Sequence, residues 1–353
     1  MTSIVSFIIV LGVLIFFHEF GHFLVARLFG VGVERFSLGF GPRLCGFRSG
    51  ITDYRVSAIP LGGYVKMVGE EPDEEVEEDK TGISFTHKHV AKRFLIVAAG
   101  PFFNLLLAVL IFYGLTLFYG IAHLKPVIGK VLEGRPAQEA GLVKGDLVVA
   151  VDGVTVKTWR QMAGLIAGSG GKTLRLTINR GDSILELDVK PEPVESLSIF
   201  GEKEIRYRIG VVASGEIIHK RLGPLGAMRE SLAQTYEITR LTVIGIGKLL
   251  SGAVSAKTLG GPILIAQMAG QEARHGIASL LAFIAFISIN LAILNVLPIP
   301  VLDGGHMLFF AIEAIRGKPV STRTREMAQQ FGLFLILMLM MLAMYNDISR
   351  FFE

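Results

Sequence analysis

Cysteine and charge are both scarce in this sequence. The 353 residues include one cysteine, Cys45, which cannot form a disulfide within the chain. A metal site built from several cysteines is excluded as well, so a bound metal would need His, Asp or Glu ligands. Charged residues make up 19% of the chain, whereas soluble domains carry about 25%. The shortage of charge makes membrane spans the first feature to examine.

Basic stripes with interleaved aromatic residues are absent too. The formal net charge is +4 at pH 7, and nucleic acid is therefore not expected as a partner. The chain has apolar residues instead, which form 51% of it and are gathered in blocks.

Four blocks are long and apolar enough to be membrane-spanning helices. A bilayer requires roughly 20 apolar residues per helix. The blocks cover about residues 4–29, 94–119, 277–301 and 331–344. The last block is short, but Met327 and Ala328 can extend it. The predicted fold class is a polytopic α-helical membrane protein with about four transmembrane helices, and the lipid bilayer is an expected partner.

The first block has an alternative interpretation as a cleaved signal peptide. Signal peptides begin with a positive charge and end at a cleavage site of small residues. The start, Met1-Thr2-Ser3, carries no positive charge, and no such cleavage site follows the block. A retained helix is therefore favoured.

Lys and Arg are concentrated in the loop after the first block and in the loop before the fourth. Examples are Arg27, Arg35, Arg43, Arg316 and Lys318. Because cytoplasmic loops are rich in these residues, both loops are predicted to be cytoplasmic. The long 120–276 region and both termini are then predicted to lie outside the cytoplasm.

Residues 34–68 are predicted to form strands and turns. Tyr54 to Ile59 partly alternates polar and apolar residues, and Pro60 to Tyr64 is a turn signal that interrupts the pattern. The segment is either a soluble hairpin or a β-structure that reaches the membrane beside an active site. The acidic run from Glu70 to Asp79 is predicted to be a solvated flexible loop.

Residues 126–193 are predicted to form a separate β-rich unit with two short helices, at Pro136 to Ala140 and Gln161 to Ala167. Gly141-Leu142, Gly145-Asp146 and Val151-Asp152-Gly153 resemble the core signature of bacterial PDZ domains. The resemblance implies a peptide ligand that adds as a strand to the sheet. The Gly-Leu-Gly-Phe loop of that family is not visible in this sequence.

These segments divide the chain into four parts. Apolar residues at helical spacing from Pro224 to Val254 are interrupted by charges, which predicts an amphipathic helix on the outer surface. The predicted parts are an N-terminal membrane half at 1–125, the PDZ-like unit at 126–193, a linker with the amphipathic helix at 194–276, and a C-terminal membrane half at 277–353.

The first apolar block contains His18-Glu19-Phe20-Gly21-His22. Residues four apart lie on one face of a helix, so His18 and His22 can reach one metal ion. Catalytic zinc takes three protein ligands and keeps one position for water, and Glu19 beside the first ligand can accept a proton from that water. Ionisable residues in a membrane span are costly, and a bound metal would compensate for them.

A third metal ligand is needed, and the third apolar block offers two. Its end, Asn295 to His306, contains Asp303 followed by two glycines. Asp303 could also be an ordinary Asp-Gly turn, and His306 is a rival because three histidines also bind zinc. Asn104 in the second block is a polar group in a span that needs a partner.

These pieces together resemble the site-2 protease family, whose members cleave within the membrane. The match is close to its bacterial RseP-like branch, which regulates sigma factors. It covers the HExxH helix, Ile59 to Val65, Phe85 to Asn104, the PDZ-like unit and Asn295 to Gly304. This chain has room for one PDZ-like unit, while some relatives carry two.

The resemblance implies roles for the metal-site residues. His18, His22 and Asp303 would bind one Zn²⁺ per chain, and Glu19 would be the general base. Asp303 is favoured over His306 on this ground.

The resemblance also implies substrate contacts. Gly62, Gly63 and Tyr64 would belong to a membrane-associated β-loop that pairs with an unwound substrate. Asn295, Asn104 and Asn290 would contact the substrate backbone or the transition state.

The function implied is that of an intramembrane zinc metalloendopeptidase in the bacterial inner membrane. Its substrates would be single-pass membrane proteins, of the anti-sigma-factor or remnant-signal-peptide type. Two other classes are considered. One is a membrane-anchored PDZ scaffold with a structural metal, which would not need Glu19 between the ligands. The other is a transporter, for which internal repeats would be expected, and none is visible.

Overall fold

The computed structural model describes residues 2–70, 77–181, 183–198, 201–350 and 352. Most of the predicted acidic loop, residues 71–76, lies outside these ranges. The chain divides into two compact units. We call the first the helical unit (Met1–Leu115, Met228–Leu249 and Ser255–Glu353) and the second the β-rich unit (Thr116–Ala227 and Leu250–Val254).

The elements of the helical unit begin with α1 (Thr2–Leu28), the strands β1 (Val33–Ser49) and β2 (Thr52–Met67), a 3₁₀ turn (Glu78–Ile83) and α2 (Val90–Tyr119). After the β-rich unit come α5 (Pro224–Leu250), α6 (Pro262–His275), α7 (Ile277–Val296), α8 (Asp303–Arg316) and α9 (Thr322–Ser349). Four of these helices are long and apolar enough to cross a membrane: Ser3–Leu28, Val90–Tyr119, Ile277–Val296 and Thr322–Ser349. The prediction of four such helices is confirmed for the described residues.

Two of the predicted helix boundaries were wrong. The third helix was expected to continue to Val301, but α7 ends at Val296 and Leu297 is extended. Pro298 disfavours a helical conformation for the residue before it. The fourth helix is longer than its apolar core, because Ser321 caps its start by accepting a hydrogen bond from the Thr324 amide at 3.3 Å.

Pro60 to Tyr64 was expected to end the strand that precedes it, and this was also wrong. The segment lies inside β2. Phe40 pairs with Ile59 while Leu38 pairs with Gly63, so the residues between form an irregularity in the ladder. Proline lacks a backbone donor and is tolerated at such bulges. The strand therefore bends at Pro60 and continues.

Helices of this unit are also joined by a buried carboxylate. Asp347 near the end of α9 is 3% exposed and accepts hydrogen bonds from the amides of Gly261, Ile263 and Leu264 at 2.8–3.0 Å. The carboxylate therefore caps the first turn of α6, where unpaired amides and the helix dipole favour a negative charge.

The β-rich unit contains the helices α3 (Pro136–Glu139) and α4 (Trp159–Ala167). Its strands are β3 (Ile121–Leu124), β4 (Ile128–Val131), β5 (Leu147–Val151), β6 (Val154–Thr155), β7 (Leu174–Arg180), β8 (Ser183–Val189), β9 (Glu192–Leu197), β10 (Lys203–Arg208), β11 (Val211–Ala213) and β12 (Ile217–Lys220). Four strands form an antiparallel sheet in the order β6-β5-β7-β8. The turn between β5 and β6 has positive φ at both Asp152 and Gly153, as the Asp-Gly signal predicts.

Asp146 is fully buried in this unit and its carboxylate is fully paired. Arg180 donates to both oxygens at 2.8 Å, and the Val143 amide donates to Oδ2 at 2.9 Å. Burial acts to raise the pKa of Asp146, but these hydrogen bonds outweigh burial and hold the pKa below its ordinary value. Asp146 is therefore ionised in the folded unit.

Candidate metal centre

His18 and His22 project from one face of α1 towards a common point. Their Nε2 atoms lie 3.3 Å apart, and the two rings are nearly perpendicular. Both residues are largely buried. Neutral imidazole nitrogens at this distance repel unless a proton or a cation lies between them, so the pair is arranged for a shared ligand.

Asp303 completes the cluster. Its Oδ2 lies 3.2 Å from His18 Nε2, and its Oδ1 lies 3.6 Å from His22 Nε2. Two ligands at about 2.0–2.1 Å from a tetrahedral ion lie about 3.3 Å from each other. The observed separations fit that geometry. Asp303 Oδ2 is buried and has no hydrogen-bond partner among the described residues, which is a further sign that a cation belongs there.

Hydrogen bonds fix how His22 presents its ring. Its Nδ1 lies 2.9 Å from the carbonyl oxygen of Ile96 on α2. A carbonyl only accepts, so Nδ1 carries the proton and Nε2 keeps its lone pair for a metal.

His18 is approached by two asparagines. Asn104 Nδ2 lies 3.3 Å from His18 Nδ1, and Asn295 Nδ2 lies 3.4 Å from His18 Nε2. Asn104 is fully buried, its backbone carbonyl accepts from Ser288 Oγ at 2.7 Å, and its Oδ1 has no partner among the described residues. A turn of the Asn104 amide would let Oδ1 accept the Nδ1 proton of His18 and leave Nε2 free for the metal.

Glycine residues allow α1, α2 and α8 to come close together at the cluster. A Cβ atom at Gly100 of α2 would collide with His22 Nε2 and would lie 2.7 Å from His18 Cε1. Cβ atoms at Gly304 and Gly305 would collide with backbone atoms of residues 296–300. Glycine at these positions lets α2 pass close to the histidines and lets α8 begin directly against the chain that follows α7. That start places Asp303 at the cluster.

Glu19 lies beside the cluster and next to β2. A Cβ atom at Gly63 would lie 3.1 Å from Glu19 Cγ, and Val65 of β2 lines the same cavity as Glu19. A cavity of about 230 Å³ opens over His18, Glu19, His22, Asp303, Gly63 and Tyr64. The cavity gives a water molecule and a substrate room beside the carboxylate and the metal ligands.

Burial acts to raise the pKa of Asp303, but the contacts with His18 and His22 outweigh burial and lower it. The carboxylate is therefore ionised, as a metal ligand requires.

The remaining residues considered in the sequence analysis differ in whether they reach the cavity or the cluster. Gly62 has φ of +130° and packs against the Phe40 ring outside the cavity lining. Asn290 accepts a hydrogen bond from Thr242 on α5 at 3.2 Å and does not contact the cluster. Asn290 and Asn295 are five residues apart, about 140° around the helix, so they face different neighbours. His306 lines the cavity but is not in the His18, His22 and Asp303 group.

Sequence reasoning missed several residues of the site. The Ile96 carbonyl and Gly100 contact the histidines from α2, and Arg325 of α9 lines the cavity. The signal for α2 was Gly100-Pro101 inside an apolar helix, an unusual pair for a simple span. Nothing in the sequence except its positive charge indicated a role for Arg325.

The β-rich unit has a groove of its own, about 390 Å³ in volume. Trp159, Met162 and Ile166 of α4 line one side, and Tyr207 and Val212 lie on the other. A groove between a helix and an extended segment can accept an extended peptide.

Comparison with known proteins identifies the family. The model of Peptidase family M50 matches residues 6–339. A provisionally named zinc metalloprotease of Rickettsia conorii is 39% identical, with 100% of each chain covered. The zinc metalloprotease RasP of Geobacillus kaustophilus is 33% identical, over 99% of this chain and 98% of its own length.

One solved structure with similarity to this chain is the PDZ domain of an SdrC-like protein from Listeria innocua. It is 24% identical, with a TM-score of 0.21, and the alignment covers 27% of this chain and 99% of that domain.

Proposed function

Since the chain belongs to peptidase family M50 and is a zinc metalloprotease of that family, we propose that it hydrolyses peptide bonds within or near the transmembrane helices of single-pass membrane proteins. Anti-sigma factors and remnant signal peptides are the proposed substrate types. The proposed location is the bacterial inner membrane, with both termini and the β-rich unit outside the cytoplasm.

The observation that carries the proposal is the position of the metal cluster in the helices. His18, Glu19 and His22 lie well inside the apolar helix Ser3–Leu28. Charged residues at such a depth cost roughly 2.5–3.5 kcal/mol each on insertion scales. A peptidase that acted on soluble substrates would have no reason to place its cluster there. Depth in the membrane therefore supports a substrate that is itself in the membrane.

In the proposed reaction, His18, His22 and Asp303 would hold the zinc ion, which would supply Lewis-acid polarisation of the scissile carbonyl and lower the pKa of a bound water molecule. Glu19 faces the same cavity, accepts the proton of the attacking water and returns it to the leaving nitrogen. Asn104 and Asn295 lie at His18, where an amide N–H can donate to the oxyanion. His22 is oriented by the Ile96 carbonyl throughout.

The strand segment Gly63–Met67 supplies a way to hold the substrate. Its register pairs it with Val33–Leu38 along one edge, and Gly63, Tyr64 and Val65 line the cavity on the other side. An unwound transmembrane segment could add to this edge by backbone hydrogen bonds. Strand addition would expose the scissile carbonyl, which is hydrogen-bonded in an intact helix. The groove of the β-rich unit is proposed to bind a peptide end by the same mode.

The test is cleavage of a tagged single-pass substrate reconstituted with the protein in liposomes. Wild type is expected to cut within the span, and zinc chelation is expected to stop it. Glu19→Gln should retain one zinc per chain and lose about 10²–10⁴ in rate. Glu133→Gln, the same chemical change at an exposed position of the β-rich unit, is the matched control and should cleave normally.

Three results would contradict the proposal. Normal cleavage by Glu19→Gln would remove the general-base role. Cleavage confined to soluble segments would remove the intramembrane role while leaving the peptidase. Persistent inactivity on several transmembrane substrates, with zinc bound, would favour a scaffold.

A further inference from the structure

The sheet formed by β1 and β2 has one basic face. Asp53 pairs with Arg35 on one side and with Arg48 on the other. Directly opposed side chains lie on the same face of a sheet. Residues two apart on a strand also share a face, so Arg55 lies with Asp53. Arg35, Arg48 and Arg55 therefore share this face with Asp53, which Arg43 also contacts at 3.2 Å.

The opposite face is apolar. Tyr54 pairs with Phe36 and with Phe47, and their ring centroids lie 6.2 Å and 5.0 Å from that of Tyr54. Phe23 of α1 contacts both Phe36 and Tyr54 at 5.4 Å and 5.8 Å. The sheet is therefore amphipathic and is attached to α1 by its aromatic face.

A cavity of about 340 Å³ lies on the basic side. Its charged lining consists of Arg35, Arg48, Arg55, Lys80, Glu34 and Asp53. Arg55 binds Asp53 at 2.8 Å and Lys80 binds Glu77 at 2.5 Å. Arg35 and Arg48 are exposed and have no acidic partner in the part of the chain that the structure describes. Two free guanidinium groups beside a polar cavity are suited to bind a phosphate.

Exposed apolar side chains surround the same part of the hairpin. Leu44 is 68% exposed, Phe47 is 64% exposed, and Ile51, which also lines the cavity, is 43% exposed. Soluble surfaces seldom gather such side chains. At a membrane interface, by contrast, apolar side chains enter the acyl region while arginines reach the phosphate level.

We propose that this cavity binds the phosphate headgroup of an anionic phospholipid, with Arg35 and Arg48 as the binding groups. The neighbouring apolar side chains favour a lipid over a free phosphate, because only a lipid has acyl chains that they can contact. The inference rests on the proposed membrane location and not on peptidase activity. A chain with Glu19→Gln must therefore bind lipid as wild type does, which separates failure of this proposal from failure of the function.

The experiment uses the full chain in nanodiscs that contain phosphatidylglycerol and phosphatidylcholine, with the phosphatidylglycerol that stays bound counted by native mass spectrometry. Arg35→Gln with Arg48→Gln is expected to weaken retention about a hundredfold, since each hydrogen bond between charged groups at the site contributes roughly tenfold or more. Arg316→Gln with Lys318→Gln is the matched control. It removes the same charge from exposed positions in the other loop predicted to be cytoplasmic, and retention should be unchanged.

Equal loss in both double variants would overturn the proposal, because diffuse surface charge would then explain binding. Binding of inorganic phosphate in phosphatidylcholine nanodiscs, as tight as that of phosphatidylglycerol, would overturn the lipid as ligand. Zinc content equal to wild type shows that the variant helical unit is folded. If the double variant loses zinc, the single substitutions replace it, each with an expected effect of roughly tenfold.

Discussion

Asp146 in the β-rich unit and Asp303 in the helical unit both have little exposure to solvent, and the two aspartates differ in what surrounds them. Asp146 in the β-rich unit has both oxygens paired by Arg180 and a backbone amide. Asp303 in the helical unit faces two histidines and has an oxygen without a hydrogen-bond partner among the described residues. A buried carboxylate is expensive unless it is paired. The satisfied aspartate therefore indicates a structural link, and the unsatisfied one indicates a position suited to a cation.

The largest expected effect comes from removing the unsatisfied aspartate. Asp303→Ala should abolish zinc binding and peptide cleavage, because two histidines alone leave the ion short of the three protein ligands of catalytic zinc sites. Zinc per chain and cleavage are measured on the same preparation. Asp347→Ala, which removes another buried carboxylate of the helical unit, is the control and should keep zinc. Full zinc content in Asp303→Ala would refute the ligand assignment.

A smaller loss is expected where a side chain would enter the cluster. Gly100→Ala places a Cβ atom against His22 Nε2, so the ring must move away from the metal position. We expect zinc affinity and rate to fall about 10–100-fold, the range for disturbed ligand orientation. Gly114→Ala on the same helix is the matched control, because a Cβ there meets nothing within 4 Å. Equal behaviour of the two variants would show that the α2 contact does not constrain the site.

The sequence predicted the parts of this site that depend on local pattern. His18 and His22 are four residues apart on one apolar helix, and a helix needs no distant partner to bring them to one face. Gly100 and the Ile96 carbonyl could not be found that way, since their role exists only where α2 crosses α1. The bend at Pro60 was misread as a turn for the same reason, because the bulge depends on pairing with β1.

The two asparagines of α7 face different sides of the helix, and comparing them tests whether that orientation determines which one acts at the metal site. Asn295 contacts His18, while Asn290 binds Thr242. Asn295→Ala should lower the rate about tenfold with zinc retained, as for other residues that contact a metal ligand. Asn290→Ala should change the rate by less than a factor of two to three and is its matched control. A larger loss from Asn290→Ala would place it at the substrate after all.

The smallest effect is expected from the satisfied aspartate, and it concerns stability. The pKa of Asp146 is lowered in the folded unit, so its contribution is complete above the unfolded pKa of about 3.9 and is lost as pH falls through the lower folded pKa. Asp146→Asn should reduce the free energy of unfolding by about 1–3 kcal/mol at neutral pH. It should also flatten the decline of stability below about pH 4.

The chain offers a probe that isolates this effect from the membrane part. Trp159 is the one tryptophan in the sequence and packs against the β-rich core, so its fluorescence follows unfolding of that unit in the intact protein. Asp188→Asn is the control, because Asp188 is exposed and its ion pair with Arg175 contributes little. Zinc content and cleavage should be unchanged in both variants. If the stability of Asp146→Asn declined in acid as steeply as that of wild type, Asp146 would not be the titrating group. Loss of zinc in Asp146→Asn would end the distinction between the two aspartates, since a carboxylate satisfied by its own unit has no energetic reason to affect a metal elsewhere.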